Sequence, residues 1–221
     1  MKIKTENTVF VFDLDDTLYK EADYHVSGVN AVGVKLDMIF KHDVQSLLKS
    51  LVADSEKDIW GSVCERLKLP SSVKESLLWE YRLHLPQIAL KPEVKLLLEM
   101  LISKSVSVSI LTDVRLVTQR LKLAALGLED LPLYVSEVFG APKPHPERFQ
   151  LIANQYPGSN FIYIGDNPKK DFVTPNAMGW MTFGIIGDSR NIHSQDLNGL
   201  DLNFHPNFWL KELEDLQNFL C

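Results

Sequence analysis

Cysteine is nearly absent: Cys64 and Cys221 are the only two in 221 residues. One lies mid-chain and the other is the last residue, which argues against a disulfide framework and fits a reducing cytoplasm. No apolar run is long enough to span a bilayer. The apolar run after the basic start Met1-Lys2-Ile3-Lys4 is short and ends at Asp13, so a strand is expected there rather than a signal peptide. Basic charge is not in excess. There are 23 Lys and Arg against 29 Asp and Glu, a net charge of −6. That balance argues against a nucleic-acid-binding surface and against a large anionic polymer as substrate. No Gly-x-x-x-x-Gly-Lys-Ser/Thr occurs, which speaks against a P-loop nucleotidase. No Cys/His cluster has zinc spacing, and no internal repeat or low-complexity segment is found. With 45% hydrophobic and 24% charged residues, the chain has the composition of a globular protein with a good core, as one domain or one plus an insert.

What stands out is Val9-Phe10-Val11-Phe12-Asp13-Leu14-Asp15-Asp16-Thr17-Leu18-Tyr19. A short apolar run of this kind reads as a buried strand of a parallel sheet. Ligands of such sheets sit beyond the carboxyl ends of the strands, so Asp13 and Asp15 should meet at the mouth of a site. Paired carboxylates repel and call for a cation or a pKa shift, and a hard divalent ion such as Mg2+ suits oxygen ligands. Aspartate at a strand end is also an ordinary cap or turn former.

From Tyr24 to Leu90 the spacing is helical. Val44, Leu47, Leu48 and Leu51 form one face, and Ile59, Trp60, Val63, Cys64 and Leu67 another. Pro70-Ser71-Ser72 separates these from a helix carrying Val73, Leu77, Leu78 and Tyr81. Tyr24, His25, Arg82 and His84 are candidates for the mouth of the site. Pro92 opens a helix with an inner stripe of Val94, Leu97, Leu98, Leu101 and Ile102. A strand then ends at Thr112. Val114, Val117, Leu121 and Ala124 follow at helical spacing, and Gly127 stops that helix. Leu133–Val138 reads as a weaker strand. The proline-stiffened loop Gly140-Ala141-Pro142-Lys143-Pro144-His145-Pro146 presents one lysine. Phe161–Ile164 runs into Gly165 and Asp166, with Asp171 five residues on, and Gly165 is expected to let a ligand approach the backbone. Met181–Ile186 is a strand and Leu200–Phe204 a short edge strand. Trp209, Leu213, Leu216 and Leu220 are expected on a closing helix.

Alternation of strand and helix from Val106 onward predicts a doubly wound, Rossmann-like α/β core. Residues 1–20 and 91–221 form that core, and 21–90 form a small all-helical cap domain. Four polar tips converge at the sheet edge: Asp13 with Asp15, Thr112, Lys143, and Asp166 with Asp171. Such a set suits phosphoryl transfer, in which a cation and a lysine neutralise phosphate oxygens and a carboxylate attacks.

These motifs, in this order, resemble the haloacid dehalogenase superfamily of phosphohydrolases. Asp13-Leu14-Asp15-Asp16-Thr17 matches its first motif, Ile110-Leu111-Thr112-Asp113 resembles the second, Lys143 matches the third, and Gly165-Asp166 through Asp171 the fourth. The helical insert matches the family's cap by position and helical content. The resemblance implies an Mg2+-dependent phosphoric monoester hydrolase. Asp13 would be the nucleophile that becomes an aspartyl-phosphate, and Asp15 the acid and then the base. Thr112 and Lys143 would hold the phosphoryl group, with backbone amides near Leu14, Asp15 and Asp113. Asp13, Asp166 and the backbone carbonyl of Asp15 would bind Mg2+. Asp171 would steady Lys143 or a metal-bound water. The second aspartate favours phosphate esters over the halide-displacing branch, which lacks it. The implied substrate is a small phosphorylated metabolite, a nucleoside monophosphate or a sugar phosphate. Phosphosugar mutases share the core motifs, and a non-catalytic binding or regulatory member is a further alternative. A receiver domain would be about half as long and carry its phosphorylated aspartate after a middle strand. The expected setting is a cytoplasmic monomer or homodimer without nucleic-acid or membrane partners.

Overall fold

Alternating apolar strands and helices build a six-stranded parallel sheet in the computed structural model, with strand order β3-β2-β1-β4-β5-β6. The strands are β1 (Thr8–Phe12), β2 (Ser107–Thr112), β3 (Leu133–Val135), β4 (Asn160–Gly165), β5 (Met181–Ile185) and β6 (Phe208–Leu210). The structure describes residues 2–41 and 43–221, so Met1 of the basic start and His42 of the helical stretch lie outside the described residues. No described helix is long and apolar enough to cross a membrane.

The register explains where polar groups can collect. Phe12 of β1 lies opposite Ile110 of β2 and Ile164 of β4. Asp13, Thr112 and Asp166 follow these three residues by one or two positions, so they emerge side by side at the carboxyl edge. Chain order reverses about β1, which makes this the topological switch point of the sheet. Both faces of the sheet are covered. Phe10 and Phe12 belong to one buried cluster with Leu97, Leu98 and Leu101, while Val9 and Val11 belong to another with Phe149, Ile152 and Trp180. Successive side chains of a strand point to opposite faces, and a doubly covered strand must therefore be apolar throughout.

Among the described residues, the first four of the five α-helices between β1 and β2 are α1 (Glu21–Phe40), α2 (Val44–Ala53), α3 (Ile59–Arg66) and α4 (Val73–Leu83). They bury a cluster of their own that includes Val32, Leu36, Leu48, Trp60, Val63 and Leu77. Asp43 and Asp58 cap α2 and α3 by accepting from the backbone N–H groups of Ser46 and Gly61. The remaining α-helices are α5 (Pro92–Lys104), α6 (Leu116–Leu126), α7 (Ser136–Phe139), α8 (Glu147–Gln155), α9 (Pro168–Asp171) and α10 (Val173–Ala177).

Several elements differ from the sequence expectation. The strand from Leu133 stops at Val135 and turns into α7. Leu202–Phe204 is a single 3-10 turn, and the edge strand is Phe208–Leu210, whose Phe208 stacks on Phe183 of β5. Trp209 is therefore on a strand, and the closing helix is a 3-10 segment, Leu213–Phe219. Ile3 makes only an isolated bridge to Leu220. The stripe of α5 closes with Leu101, because Ile102 faces solvent at 49% exposure.

The stripe has a direct test. Leu101→Ala should cost about 2–5 kcal/mol of unfolding free energy in urea, and Ile102→Ala less than about 0.5 kcal/mol.

Candidate active site

The carboxyl ends of β1, β2 and β4 deliver Asp13, Thr112 and Asp166, all buried. The backbone N–H of Asp13 donates to the Ile164 carbonyl at 2.8 Å, which continues the sheet pairing up to the carboxylate. Lys143 arrives from the loop between α7 and α8. Its Nζ lies 2.8 Å from Asp13 Oδ1 and 2.7 Å from Asp171 Oδ1. It also donates to the Tyr163 hydroxyl at 3.1 Å, and that hydroxyl donates to Asp171 at 3.1 Å. Burial works against the lysine's charge, yet Asp13 and Asp171 more than offset it and hold its pKa well above the ordinary value.

The acids lack enough positive charge. Burial first, and the charge of Asp171 next, push Asp13 up to about 7 despite Lys143. Burial and the neighbouring Asp171 and Asp13 raise Asp166 to about 8. Oxygen atoms of Asp13, Asp166 and Asp171 lie within 4.8 Å of one another. The oxygens of Asp171 are already engaged by Lys143, Tyr163 and the Asn167 N–H. Among the described residues, the Asp166 carboxylate receives only a 3.4 Å contact from the Asn191 amide. Asp13 and Asp166 therefore form the open oxygen pair, and a hard divalent cation fits it.

Asp15 lives in a different environment. Lys122 of α6 places its Nζ 2.7 Å from Asp15 Oδ1, Gln119 donates to Oδ2 at 3.1 Å, and the Tyr19 hydroxyl donates to Oδ1. Burial alone would raise this group, but Lys122, Tyr19 and Gln119 together bring it below its ordinary value. Gln119 also donates to Thr112 Oγ1 at 3.1 Å and to the Asp113 carbonyl at 3.0 Å. This corrects the expected face of α6. Val114 precedes the helix, and Val114 and Val117 are exposed, whereas Gln119, Lys122, Leu123 and Leu126 turn inward. The polar pair faces in because its partner is the Asp15 carboxylate.

A second buried cation braces the other side. Arg148 of α8 donates to the Thr112 carbonyl at 2.6 Å, to the Tyr134 carbonyl at 3.3 Å and to Asp113 Oδ1 at 2.7 Å. Asp113 Oδ1 in turn accepts the Lys143 backbone N–H at 3.0 Å. The chain ends of β2 and β3 and the Lys143 loop are thus tied to one guanidinium. Val114, at the rim, holds φ at +80°, an unusual conformation for a β-branched residue. Its N–H donates to Ser136 Oγ at 2.9 Å.

A cavity of about 110 Å³ joins these groups: Asp13, Asp15, Thr112, Asp113, Lys143 and Asp166 all line it. Two larger hollows, of about 360 and 340 Å³, contain none of the six. Leu14 is buried in the core, so it can offer the site only its backbone. Asp171 stands behind Lys143. Gly165 serves Asp171 rather than a ligand, because a Cβ there would meet the Asp171 carboxylate at 2.5 Å. Tyr24, His25, Arg82 and His84 do not line this cavity. His84 binds Ser27 and the Tyr81 carbonyl, and Tyr24, Tyr81 and His84 pack together.

The sequence expectation missed Lys122, Gln119, Arg148 and Tyr163, and also Glu21, Lys170 and His193 of the lining. Tyr163 carries a hydroxyl amid an otherwise apolar strand, and Arg148 lies beside the apolar Phe149 and Ile152 of its helix. Those were the available signals. Lys122 and Gln119 look like an ordinary polar helix face.

A family model described as haloacid dehalogenase-like hydrolase matches residues 8–179. A protein of Methanocaldococcus jannaschii named glyceraldehyde 3-phosphate phosphatase is 23% identical over 222 residues, covering 93% of this chain and 95% of that one. Among solved structures, YfnB of Bacillus subtilis in a magnesium-bound form aligns with a TM-score of 0.61 and 18% identity, covering 96% of this chain and 98% of that one. A 2-haloacid dehalogenase of Pseudomonas syringae aligns with a TM-score of 0.59 and 19% identity, covering 96% and 97%.

The bracing role of Arg148 is measurable. Arg148→Met keeps the side chain's length but leaves Asp113 and two carbonyls short of a donor. It should cost about 3–5 kcal/mol in urea unfolding; a loss below about 1 kcal/mol would rule out the brace.

Proposed function

The chain belongs to the haloacid dehalogenase-like hydrolases, and on that premise we propose that it is a magnesium-dependent phosphatase acting on a small phosphate monoester through phosphorylated Asp13. The observation that carries this reading is the division of labour between two carboxylates two residues apart. Asp13 faces Lys143 and the open side of Asp166, while Asp15 is held apart by Lys122, Gln119 and Tyr19. Distinct environments for paired carboxylates are how one site separates a nucleophile from an acid–base group. Asp15 also favours ester hydrolysis over halide displacement, since only an alkoxide leaving group needs a proton.

Each residue then has a task. Asp13 attacks phosphorus. Asp15 gives a proton to the leaving oxygen and later takes one from the water that cleaves the intermediate. Thr112 and Lys143 hold phosphate oxygens, with backbone amides near Leu14, Asp15 and Asp113. Asp13, Asp166 and the backbone carbonyl of Asp15 would hold Mg2+, which when bound would supply positive charge against both carboxylates and the phosphate. Asp171 steadies Lys143. The helices of residues 21–90 serve as a cap, an assignment supported by Glu21 in the first turn of α1, which lines the cavity.

For the substrate, the cavity of about 110 Å³ supports a phosphate with a short leaving group. Sites for larger ligands run to about 300–1,000 Å³. A triose or small polyol phosphate fits better than a nucleoside monophosphate. The name of the Methanocaldococcus relative, glyceraldehyde 3-phosphate phosphatase, points the same way.

Phosphate release with Mg2+ from a panel of triose phosphates, sugar phosphates, phosphoglycolate and nucleoside monophosphates tests this. A triose or polyol phosphate should be preferred, and Asp13→Asn should lower turnover at least about 10³-fold while the fold persists. Retained turnover in that variant would exclude the nucleophile.

Metal binding predicts a pH-dependent stabilisation. Asp13 and Asp166 are raised from 3.8 to about 7 and about 8 in the folded protein. Their contribution to stability is therefore fully present below about pH 4 and is lost as the pH rises through 7 to 8. Mg2+ should raise Tm by several degrees at pH 8 and by much less at pH 5. Scanning calorimetry showing no Mg2+ shift at pH 8 would count against the site.

A further inference from the structure

We infer that Lys122 is a positioning residue for Asp15: with Gln119 and Tyr19 it holds the carboxyl group where it can exchange a proton with the leaving oxygen. The assignment rests on the phosphatase reading above and extends it to a helix that no matched motif covers.

The geometry is specific. Lys122 is 3% exposed. Its Nζ sits 2.7 Å from Asp15 Oδ1 and 4.2 Å from the ring centre of Tyr24 on α1. Gln119, one turn earlier on the same helix face, donates to Asp15 Oδ2 at 3.1 Å and to Thr112 Oγ1 at 3.1 Å. Both oxygens of Asp15 therefore have donors, and these come from two elements, the turn after β1 and helix α6. The plane of the carboxyl group is set from two sides.

Fold stability does not explain a lysine here. Burying an ammonium and a carboxylate is costly even when they pair, and apolar replacements are often neutral or stabilising. Of the other buried residues of α6, Leu123 and Leu126 are aliphatic and Thr118 is uncharged. A charged pair in that layer makes sense if the orientation of Asp15 matters to the reaction.

The chemistry balances without a change at Lys122. In the first half, a bond forms between an Asp13 oxygen and phosphorus as the bond from phosphorus to the leaving oxygen breaks. Asp15, an anion paired with Lys122 in the free site, takes up a proton from solvent as the anionic ester binds, passes it to that oxygen, and is again an anion beside the ammonium. In the second half, water attacks phosphorus, the bond to Asp13 breaks, and a water proton returns to Asp15. Lys122 keeps its proton throughout and touches neither phosphorus nor the leaving group.

Two substrates separate positioning from general damage. Glyceraldehyde 3-phosphate leaves as an alkoxide and needs the proton; acetyl phosphate leaves as acetate and does not. In Lys122→Met, kcat/KM for glyceraldehyde 3-phosphate should fall about 10–100-fold, and for acetyl phosphate by less than about 3-fold. Lys122→Arg should recover part of the loss. If Lys122→Met fails to fold by circular dichroism, Tyr19→Phe removes the other donor to the same oxygen and should give the same split. A readout independent of turnover is the side-chain ammonium resonance of Lys122 in 15N-lysine-labelled protein. It should be protected from exchange in the wild type and lost in Asp15→Asn. An equal loss on both substrates, no loss on either, or an ammonium signal indifferent to Asp15→Asn would overturn the assignment. A wild-type protein inactive on both substrates and on the whole ester panel would overturn the phosphatase reading and this inference with it.

Discussion

One ammonium between two carboxylates governs the arrangement. Lys143 is buried to 5% exposure and lies within 2.8 Å of both Asp13 and Asp171. An isolated charge at that depth would be prohibitively costly, so each of the three depends on the other two. Asp13 must end β1, Asp171 must close the turn after β4, and a rigid loop must bring the lysine between them. The parallel order of β1 and β4 makes this possible by placing both strand ends at one edge. Arg148 then fixes the loop from behind, through Asp113 and the Lys143 N–H.

Electrostatics divides the site in two. Around Asp13 and Asp166 the negative charge is under-compensated, and both carboxyl groups are pushed above their ordinary range. Around Asp15 it is matched by Lys122. Gln119 spans the two halves, because its amide reaches Asp15 and Thr112 together. A displacement of α6 would therefore reach the Asp15 carboxylate and the Thr112 hydroxyl at once.

Much of this was legible in the sequence, and the physics explains which part. Apolar strands buried on both faces leave a strong local signature, and polar residues at their ends are conspicuous by contrast. Asp13, Thr112 and Asp166 were found that way. Lys143 was marked by the prolines around it. The inward face of α6 was not legible, because a lysine and a glutamine one turn apart look the same whether they face water or a buried carboxylate. Phe208–Leu210 was hidden for a different reason. Only three residues long, it carries no periodicity, and its pairing with β5 is a long-range contact. The same holds for Trp209, which sits at helical spacing from Leu213 yet lies on a strand.

Gly165 carries a consequence for how such a sequence can vary. There is no space at this position for a methyl group, because the Asp171 carboxylate occupies it. The two positions are mutually exclusive claims on one volume. A side chain at 165 is admissible only if residue 171 shrinks, and a smaller residue at 171 removes one of the two anions that hold Lys143. Positions 165 and 171 must therefore drift together or not at all, and the glycine is fixed by the lysine's need for a second counter-charge.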